Sequence, residues 1–131
     1  MLKNDDANDL LFAFRAKISD PAVAKHADSN YSHMCIKQYF RIGSNVVLRK
    51  NLWVEAGLFN GSKGKIVDIF LNDDHSVKCF LVKFEKFKGK GWRGSDLVPV
   101  EPIIFEHKSS QKYFRTLIPL DISDALTVYK V

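Results

Sequence analysis

One stretch of the sequence decides the fold: Asn45-Val-Val-Leu-Arg-Lys-Asn-Leu-Trp-Val-Glu-Ala-Gly-Leu-Phe-Asn-Gly-Ser-Lys-Gly64. It opens with aliphatic, β-branched residues that are typical of a strand. It closes with Gly57, Gly61 and Gly64, which predict tight turns at positive φ before a second strand starts at Lys65. The same glycines would also let a nucleic-acid strand come close to the backbone, so both interpretations stay open.

Outward from this stretch, the pattern predicts five short strands: residues 46–50, 65–71, 77–84, 98–105 and 113–118. The turn residues 72–74 predict a hairpin between the second and third. The alternation slips near Phe80, which indicates a bulge or a strand buried on both faces. Pro99 and Pro102 confine the fourth strand to an edge or a bend. The predicted fold is therefore a small SH3-like barrel, with a core of Val46, Leu48, Ile66, Ile69, Leu81, Val82, Ile104 and Leu117.

The two ends of the chain predict some helix, so the expected class is mainly β with α+β character at the ends. Residues 9–17 are apolar enough for a short helix behind three acids, and residues 27–33 suggest a loop. Asp121 is placed to cap a helix from Ile122, with Asp124 in its first turn. We expect three parts: a partly flexible lead-in (1–40), the barrel (41–111), and a returning strand and helix (112–131).

The positive charge is concentrated in the middle of the chain. Residues 41–115 carry fourteen basic and eight acidic side chains, whereas the whole chain has a net charge of +5. Residues 83–93 hold five bases against one acid, with Phe84, Phe87 and Trp92 interleaved, which suits single-stranded nucleic acid. We assign base stacking to Trp92 and phosphate contact to Lys63, Lys86, Lys88, Lys90 and Arg93. The alternative is a solvated hairpin whose aromatic rings turn inward.

Several kinds of site are excluded by spacing. A phosphate-binding loop needs Gly where this sequence has Phe59, and Ser or Thr where it has Ile66. The four histidines and two cysteines form only one close pair, His33 and Cys35, so we expect no metal site. No pair of residues at a suitable spacing nominates a catalytic residue. Without a signal peptide or a run of about 20 apolar residues, we expect an intracellular protein, outside membranes, with reduced thiols.

Two motifs in order carry a family resemblance. Residues 46–52 and 57–67 form the first; Arg115, the pair Pro119-Leu120 and Ala125-Leu-Thr-Val-Tyr-Lys-Val131 form the second. From about residue 22 onward, the chain resembles the C-terminal motor region of PIF-type ATP-dependent DNA helicases. Trp53-Val-Glu-Ala56, between the parts of the first motif, is similar to helicases of that group associated with mobile elements.

The resemblance implies an SH3-like 2B domain inserted into a RecA-like motor domain, with residues 1–40 a remnant of that motor. It implies single-stranded DNA as partner, a nuclear location, and roles in DNA repair, recombination and telomere maintenance. ATP and Mg²⁺ belong to the full-length family, and we expect no cofactor in this chain. The nucleic-acid-binding positions that it carries over are Asn51, Asn60, Gly61 and Gly64 in the 2B signature, and Thr127 and Lys130 in the terminal motif.

The terminal motif departs from the family pattern. Tyr129 and Val131 replace a histidine and a serine, and Asp121 and Asp124 place acids beside the expected phosphate path. We therefore expect a piece of a PIF-type helicase that contacts single-stranded DNA without an ATPase of its own, the upstream motor being absent. Two alternatives stay open: a free-standing SH3-like or KOW-like barrel on RNA or a ribonucleoprotein, and a structural product without a partner.

Overall fold

The computed structural model describes residues 11–123, and these form a mainly β protein, as the sequence predicts. Short 3₁₀ helices are found at Pro21–Lys25, Asp28–Tyr31, Val54–Ala56 and Trp92–Gly94. The strands, in chain order, are β1 Phe12–Arg15, β2 Lys17–Ile18, β3 Lys37–Phe40, β4 Asn45–Leu48, β5 Lys63–Leu71, β6 Val77–Phe84, β7 Leu97–Val100, β8 Ile103–His107, β9 Ser110–Leu117 and β10 Leu120–Ile122.

The largest sheet is antiparallel and has the order β10-β4-β5-β6-β7. The predicted hairpin is β5 and β6, joined by the turn at residues 72–76. Four consecutive residues of β6, from Cys79 to Val82, are buried, so the strand is covered on both faces. The irregular register lies on the opposite strand: Ile66 pairs with Val82 and Asp68 with Leu81, which leaves Val67 as the extra residue of a bulge.

The described strands do not close into one barrel, which corrects that part of the prediction. β1 pairs with β3, and β2, β9 and β8 form a third sheet. The stretch predicted as one strand at 98–105 is two strands, because the chain leaves the large sheet at residues 101–102 and enters the third sheet at Ile103. Pro99 stays in β7, at the edge of the sheet, where it needs no second partner strand.

The helix predicted at residues 9–17 is wrong where the structure describes it. β1 and β2 occupy this segment, because burial alternates with a period of two: Phe14 and Ala16 point inward and Arg15 outward. The expected loop at 27–33 contains the 3₁₀ helix Asp28–Tyr31.

The C-terminal helix is also wrong at its predicted start. Asp121 and Ile122 lie in β10, paired with Val47 and Val46 of β4. The sheet pairing satisfies backbone groups that a helix cap would otherwise have used. The rest of that predicted helix, with Asp124, falls outside the described residues.

The apolar side chains form two clusters. The first lies against the large sheet and includes the predicted core residues Val46, Leu48, Ile66 and Val82, with Ile69 packed at its margin. Leu81 is buried as well. The second cluster is formed by Ala16, Val23, Tyr31, Met34, Phe105 and Leu117. Ile104 was assigned to the core wrongly: it is 52% exposed, because the alternation of β8 turns Phe105 inward instead.

Two buried polar side chains connect distant parts of the chain. The Gln38 amide donates to the carbonyl of Ile118 (2.8 Å) and accepts from its N–H (3.0 Å). Arg115 of β9 is fully buried, and its guanidinium donates to the carbonyl oxygens of Met34 and His26 at 2.8 and 3.0 Å. The bonds from Arg115 satisfy backbone carbonyls of residues that follow the 3₁₀ helices Pro21–Lys25 and Asp28–Tyr31.

Among residues 11–123, no helix is long and apolar enough to cross a membrane.

Candidate nucleic-acid interface

The residues after β4 form a compact loop, here called the signature loop (residues 51–62). Asn51 accepts a hydrogen bond on Oδ1 from the N–H of Asn60 at 2.8 Å, which closes the loop at its base. Inside it, Trp53 and Leu58 form an isolated antiparallel bridge, with N–H···O distances of 2.9 and 3.0 Å. The asparagines of the motif therefore shape this loop, while both side chains remain exposed.

Ser62, which the sequence analysis did not single out, stabilises the interior of the signature loop. Its buried hydroxyl donates to the carbonyl of Gly57 at 3.0 Å and accepts from the N–H of Phe59 at 2.9 Å. A serine two residues after Asn60 in a glycine-rich turn was the available signal, because hydroxyls commonly bond nearby backbone in such turns.

The three glycines of the motif differ in their function in the fold. Gly57 and Gly61 have φ of +89° and +105°, as the turn interpretation predicts. Gly64 does not adopt positive φ and is buried in β5, where an added Cβ would lie 2.8 Å from Cγ1 of Val82 and 2.9 Å from the carbonyl of Lys83. The place of Gly64 in the motif is therefore explained by packing against β6.

Gly57 brings the signature loop against a second loop, here called the basic loop (residues 85–96). A Cβ at Gly57 would lie 2.2 Å from the carbonyl oxygen of Lys86, a distance that only glycine permits. Beside this contact, the N–H of Lys88 donates to the carbonyl of Ala56 at 2.8 Å. The two segments that the sequence singled out separately are thus one continuous surface.

With Lys63 included, this surface carries five basic and three acidic side chains, the acids being Glu55, Glu85 and Asp96. The five cations predicted to contact phosphate are all exposed, and none of them forms an ion pair with another described residue: Lys63, Lys86, Lys88, Lys90 and Arg93. A cleft of about 170 Å³ separates the two loops and is lined by Phe59, Gly61, Ser62, Lys63, Glu85 and Lys86. Charges that lack a protein partner are available to an anionic ligand.

Trp92 lies in a tight turn within the basic loop. The N–H of Gly91 donates to the carbonyl of Ser95 at 2.7 Å, and the Ser95 hydroxyl donates back to the carbonyl of Trp92 at 2.6 Å. The indole is half-buried, its ring 5.3 Å from that of Phe70, and the Arg93 guanidinium lies 4.5 Å from its centroid. The predicted stacking residue is thus already in contact on two sides.

The other aromatic residues of this region differ in their exposure to solvent. Phe84 is buried in β6, in agreement with its assignment to the strand. Trp53, which the sequence analysis did not place in the site, is 49% exposed at the junction of the two loops. The sequence offered one signal for it: a tryptophan that lies outside every predicted strand and therefore has no core position assigned to it.

Asp121 is neutralised within the fold. Its carboxylate forms an ion pair with Arg49, which also donates to the carbonyl of Ser32 at 2.9 Å. The acid that the resemblance places beside an expected phosphate path is therefore paired with the residue that follows β4, and this pairing reduces its repulsion of a polyanion.

The possible metal ligands of residues 11–123 are scattered. There, no three His, Cys, Asp or Glu side chains lie close enough together to hold a metal ion. Burial raises the pKa of the Cys79 thiol, which favours the unreactive protonated form. His26 lies with its Nδ1 2.7 Å from the Tyr31 hydroxyl, in a ring cluster with His107 and Tyr113, a packing role.

Comparison with known proteins identifies the fold. No family model and no curated protein matches the chain. Among solved structures, Pif1 helicase from Candida albicans superposes with a TM-score of 0.61 at 20% identity, over 86% of this chain and 28% of that one. Bacteroides Pif1 bound to ssDNA gives 0.60 at 16% identity, over 90% and 26%.

The fold is Pif1-like. A third structure, from a study of DNA unwinding at forked dsDNA by two coordinating Pif1 helicases, gives a TM-score of 0.60 at 18% identity, over 87% of this chain and 22% of that one. The chain thus spans roughly a quarter of the length of the Pif1 structures that it matches. The resemblance inferred from the two motifs is confirmed at the level of the fold.

Within this Pif1-like fold, the residues carried over from the first motif lie together. Asn51, Asn60 and Gly61 belong to the signature loop, and the basic loop lies against it. The two positions of the terminal motif, Thr127 and Lys130, fall outside the described residues.

Proposed function

We propose that this chain is the 2B-containing part of a PIF-type helicase and that it holds single-stranded DNA on the surface formed by the signature and basic loops. The observation that carries the proposal is the contact between Gly57 and Lys86, which joins the helicase-like motif to the basic loop. One structural neighbour is described as a Pif1 bound to ssDNA, which supports the choice of ligand.

The charges suit a strand that is bound without regard to sequence. Five cations are exposed, two of which, Lys63 and Lys86, line the cleft beside Glu85. Each can meet a phosphate, while exposed apolar rings accept unpaired bases. Backbone phosphates supply most of the affinity in such complexes, so the interface needs no side chain that reads base edges. A duplex keeps its bases stacked internally and would use only the cationic part of this surface.

A salt titration tests the proposal. We expect a fluorescein-labelled thymidine oligonucleotide to bind with an affinity whose logarithm falls with log[salt] at a slope near −3, as for about four neutralised phosphates on a single strand. Replacing Lys86 and Lys88 together by Gln should reduce the slope by about 1.4. Replacing Lys25 and Lys108, two basic residues outside both loops, serves as the matched control. Binding that is insensitive to salt would contradict the proposal.

The same titration separates DNA from the alternative ligand. An RNA oligonucleotide of equal length and sequence tests the alternative ligand, and tighter binding of RNA would favour a module that serves a ribonucleoprotein. If the RNA probe is made of ribothymidine, the 2′-hydroxyl is the chemical difference between these two probes, so a contrast in affinity reports contacts to the sugar.

We propose no ATP hydrolysis by this chain alone. Phosphoryl transfer in such motors requires a loop of backbone amides with its lysine and a magnesium-binding side chain in one cleft. Lys65, the residue nearest to such a lysine in sequence, lies instead in β5. Release of phosphate above background, with or without the thymidine oligonucleotide, would refute this; loss of that activity in Lys65→Ala would locate the overlooked site.

A further inference from the structure

Trp53 is held at the point where the signature and basic loops meet. Its indole lies edge to face with Phe87, with centroids 6.1 Å apart and an interplanar angle of 61°. Gly89 lies directly against the ring: a Cβ there would be 2.6 Å from Cζ3 of Trp53. The basic loop thus supports one side of the indole, and about half of the side chain remains open to solvent.

The backbone of Trp53 is fixed before any ligand arrives. Its N–H and its carbonyl both bond to Leu58, and the carbonyl also accepts from the N–H of Ala56 at 3.1 Å. A side chain with two rotatable bonds on a fixed backbone loses little conformational freedom on binding. Such a ring is suited to stack on a flat, unpaired base.

Trp92 compares unfavourably with Trp53 for the same task. A base that stacked on the face covered by Arg93 would have to displace the guanidinium, which lies 4.5 Å from the ring centroid. The contact with Phe70 restricts the ring further. Trp53 instead contacts the ring of Phe87, edge to face, and Gly89, and neither is a charged group that a base would have to displace.

We propose that Trp53 is the principal base-stacking residue of this surface and that its ligand is an unpaired nucleobase. The inference rests on the proposed function and replaces Trp92 as the stacking residue. The backbones of Lys86 and Lys88 contact Gly57 and Ala56, close to Trp53 in the signature loop, so their exposed side chains can supply cations for phosphates near the stacked base.

The apolar neighbours of Trp53 fit the same ligand. Leu52, Val54 and Phe59 are each 40% exposed or more and belong to the same loop as the indole. Apolar side chains around a stacked ring can cover the edges of a base while the cations hold its phosphates. The absence of ion pairs on Lys86 and Lys88 among the described residues favours an anionic ligand over an uncharged protein surface.

The chain contains two tryptophans, and this allows a direct test. Trp92→Phe leaves Trp53 as the sole indole, and Trp53→Phe leaves Trp92. Each variant is titrated with a thymidine oligonucleotide of about 12 nucleotides, and quenching of tryptophan fluorescence is recorded beside the anisotropy of the same labelled oligonucleotide. We expect strong quenching in Trp92→Phe and little in Trp53→Phe, at the same degree of saturation.

Affinity provides the second measurement. Trp53→Leu keeps an apolar side chain but removes the stacking ring, and should weaken binding roughly five- to 150-fold with little dependence on base sequence. Tyr39→Leu is the matched control, since Tyr39 is a similarly exposed aromatic residue, 46% accessible, that lies in β3 beside Lys37. Its affinity should equal that of the parent chain.

The outcomes separate the two proposals. If the parent chain does not bind the oligonucleotide, the proposed function fails. If the parent chain binds but the fluorescence of Trp53 is not quenched and Trp53→Leu keeps its affinity, only the stacking inference fails. Quenching seen in Trp53→Phe alone would identify Trp92 as the stacking residue and overturn the inference for Trp53. If Trp53→Leu does not fold, as judged by circular dichroism, the fluorescence of Trp92→Phe decides alone.

Discussion

Asp28 and Arg115 lie 87 positions apart in the sequence, and their side chains form an ion pair with an N···O distance of 2.7 Å. The guanidinium is buried, whereas the carboxylate side chain is 45% exposed. The pair attaches the short 3₁₀ helix Asp28–Tyr31 to β9 and thereby joins the first described residues to the last strands. The two side chains contribute unequally to stability, because only the guanidinium of Arg115 is removed from water.

Replacing Arg115 by Met should be among the most damaging single changes in this chain. Besides the ion pair, it removes the donors to the carbonyls of Met34 and His26. Because these carbonyl groups, one buried and one partly buried, are left without donors, we expect a loss of about 2–5 kcal/mol in the free energy of unfolding, measured by urea denaturation. Asp28→Asn should cost only about 1 kcal/mol, because an exposed carboxylate is screened by water. Equal costs for the two variants would contradict this account.

The contribution of Asp28 should depend on pH. The hydrogen bond from Arg115 lowers the pKa of Asp28 below its ordinary value of 3.8. A carboxyl group whose pKa is lower in the folded state stabilises the fold above its unfolded-state pKa, and this stabilisation is lost as pH falls through the folded-state pKa. The difference in unfolding free energy between the parent chain and Asp28→Asn should be constant above about pH 5 and shrink below about pH 4. A difference that grows on acidification would show another cause.

Gly57→Ala and Gly43→Ala separate backbone strain from steric clash. Both glycines have φ near +90°, so alanine costs about 1–2 kcal/mol at either site. A Cβ at Gly43 meets nothing within 4 Å, whereas one at Gly57 meets the carbonyl of Lys86. Gly57→Ala should therefore lose about 1–3 kcal/mol more unfolding free energy than Gly43→Ala. It should also bind the oligonucleotide more weakly, since the loops are pushed apart. Identical stability and affinity in both variants would argue against a joined surface.

Two variants of Asn51 separate a role in shaping the signature loop from a role in binding DNA. Asn51→Ala removes the acceptor for the N–H of Asn60 and should cost about 0.5–1.5 kcal/mol of stability. Asn51→Asp keeps an acceptor oxygen but adds a negative charge to the proposed phosphate path. We expect this variant to keep nearly the stability of the parent chain by thermal denaturation and to bind more weakly at low salt. Unchanged affinity at 50 mM salt or thereabouts would place Asn51 outside the path.

The features predicted most accurately from the sequence are those set by local pattern. Residues 77–84 were predicted as a strand, and β6 has the same bounds. The hairpin follows from the turn residues that join two apolar runs. Gly57 and Gly61 adopt the positive φ that a tight turn requires. In each of these cases, the residues that determine the structure are neighbours in the chain.

The features that were missed depend on contacts between distant residues. Residues 12–18 contain apolar positions compatible with a helix, yet pairing of β1 with β3 makes them strands. How much of Trp53 is exposed depends on where the basic loop, some thirty residues later in the chain, packs against it. Burial of Arg115 requires the carbonyl of Val23, in the first 3₁₀ helix, and those of His26 and Met34, which follow the first and the second. No local pattern contains this information, because tertiary pairing overrides propensity.

The paired hydrogen bonds between Gln38 and Ile118 also have a mechanical consequence. These residues are 80 positions apart, yet they meet ahead of the two points at which the chain enters the large sheet, at β4 and at β10. Tension applied between them is carried by two hydrogen bonds instead of by the long path through β4 to β9. While those bonds hold, the strands that carry both loops experience no pulling force, and the loops keep their spacing under load.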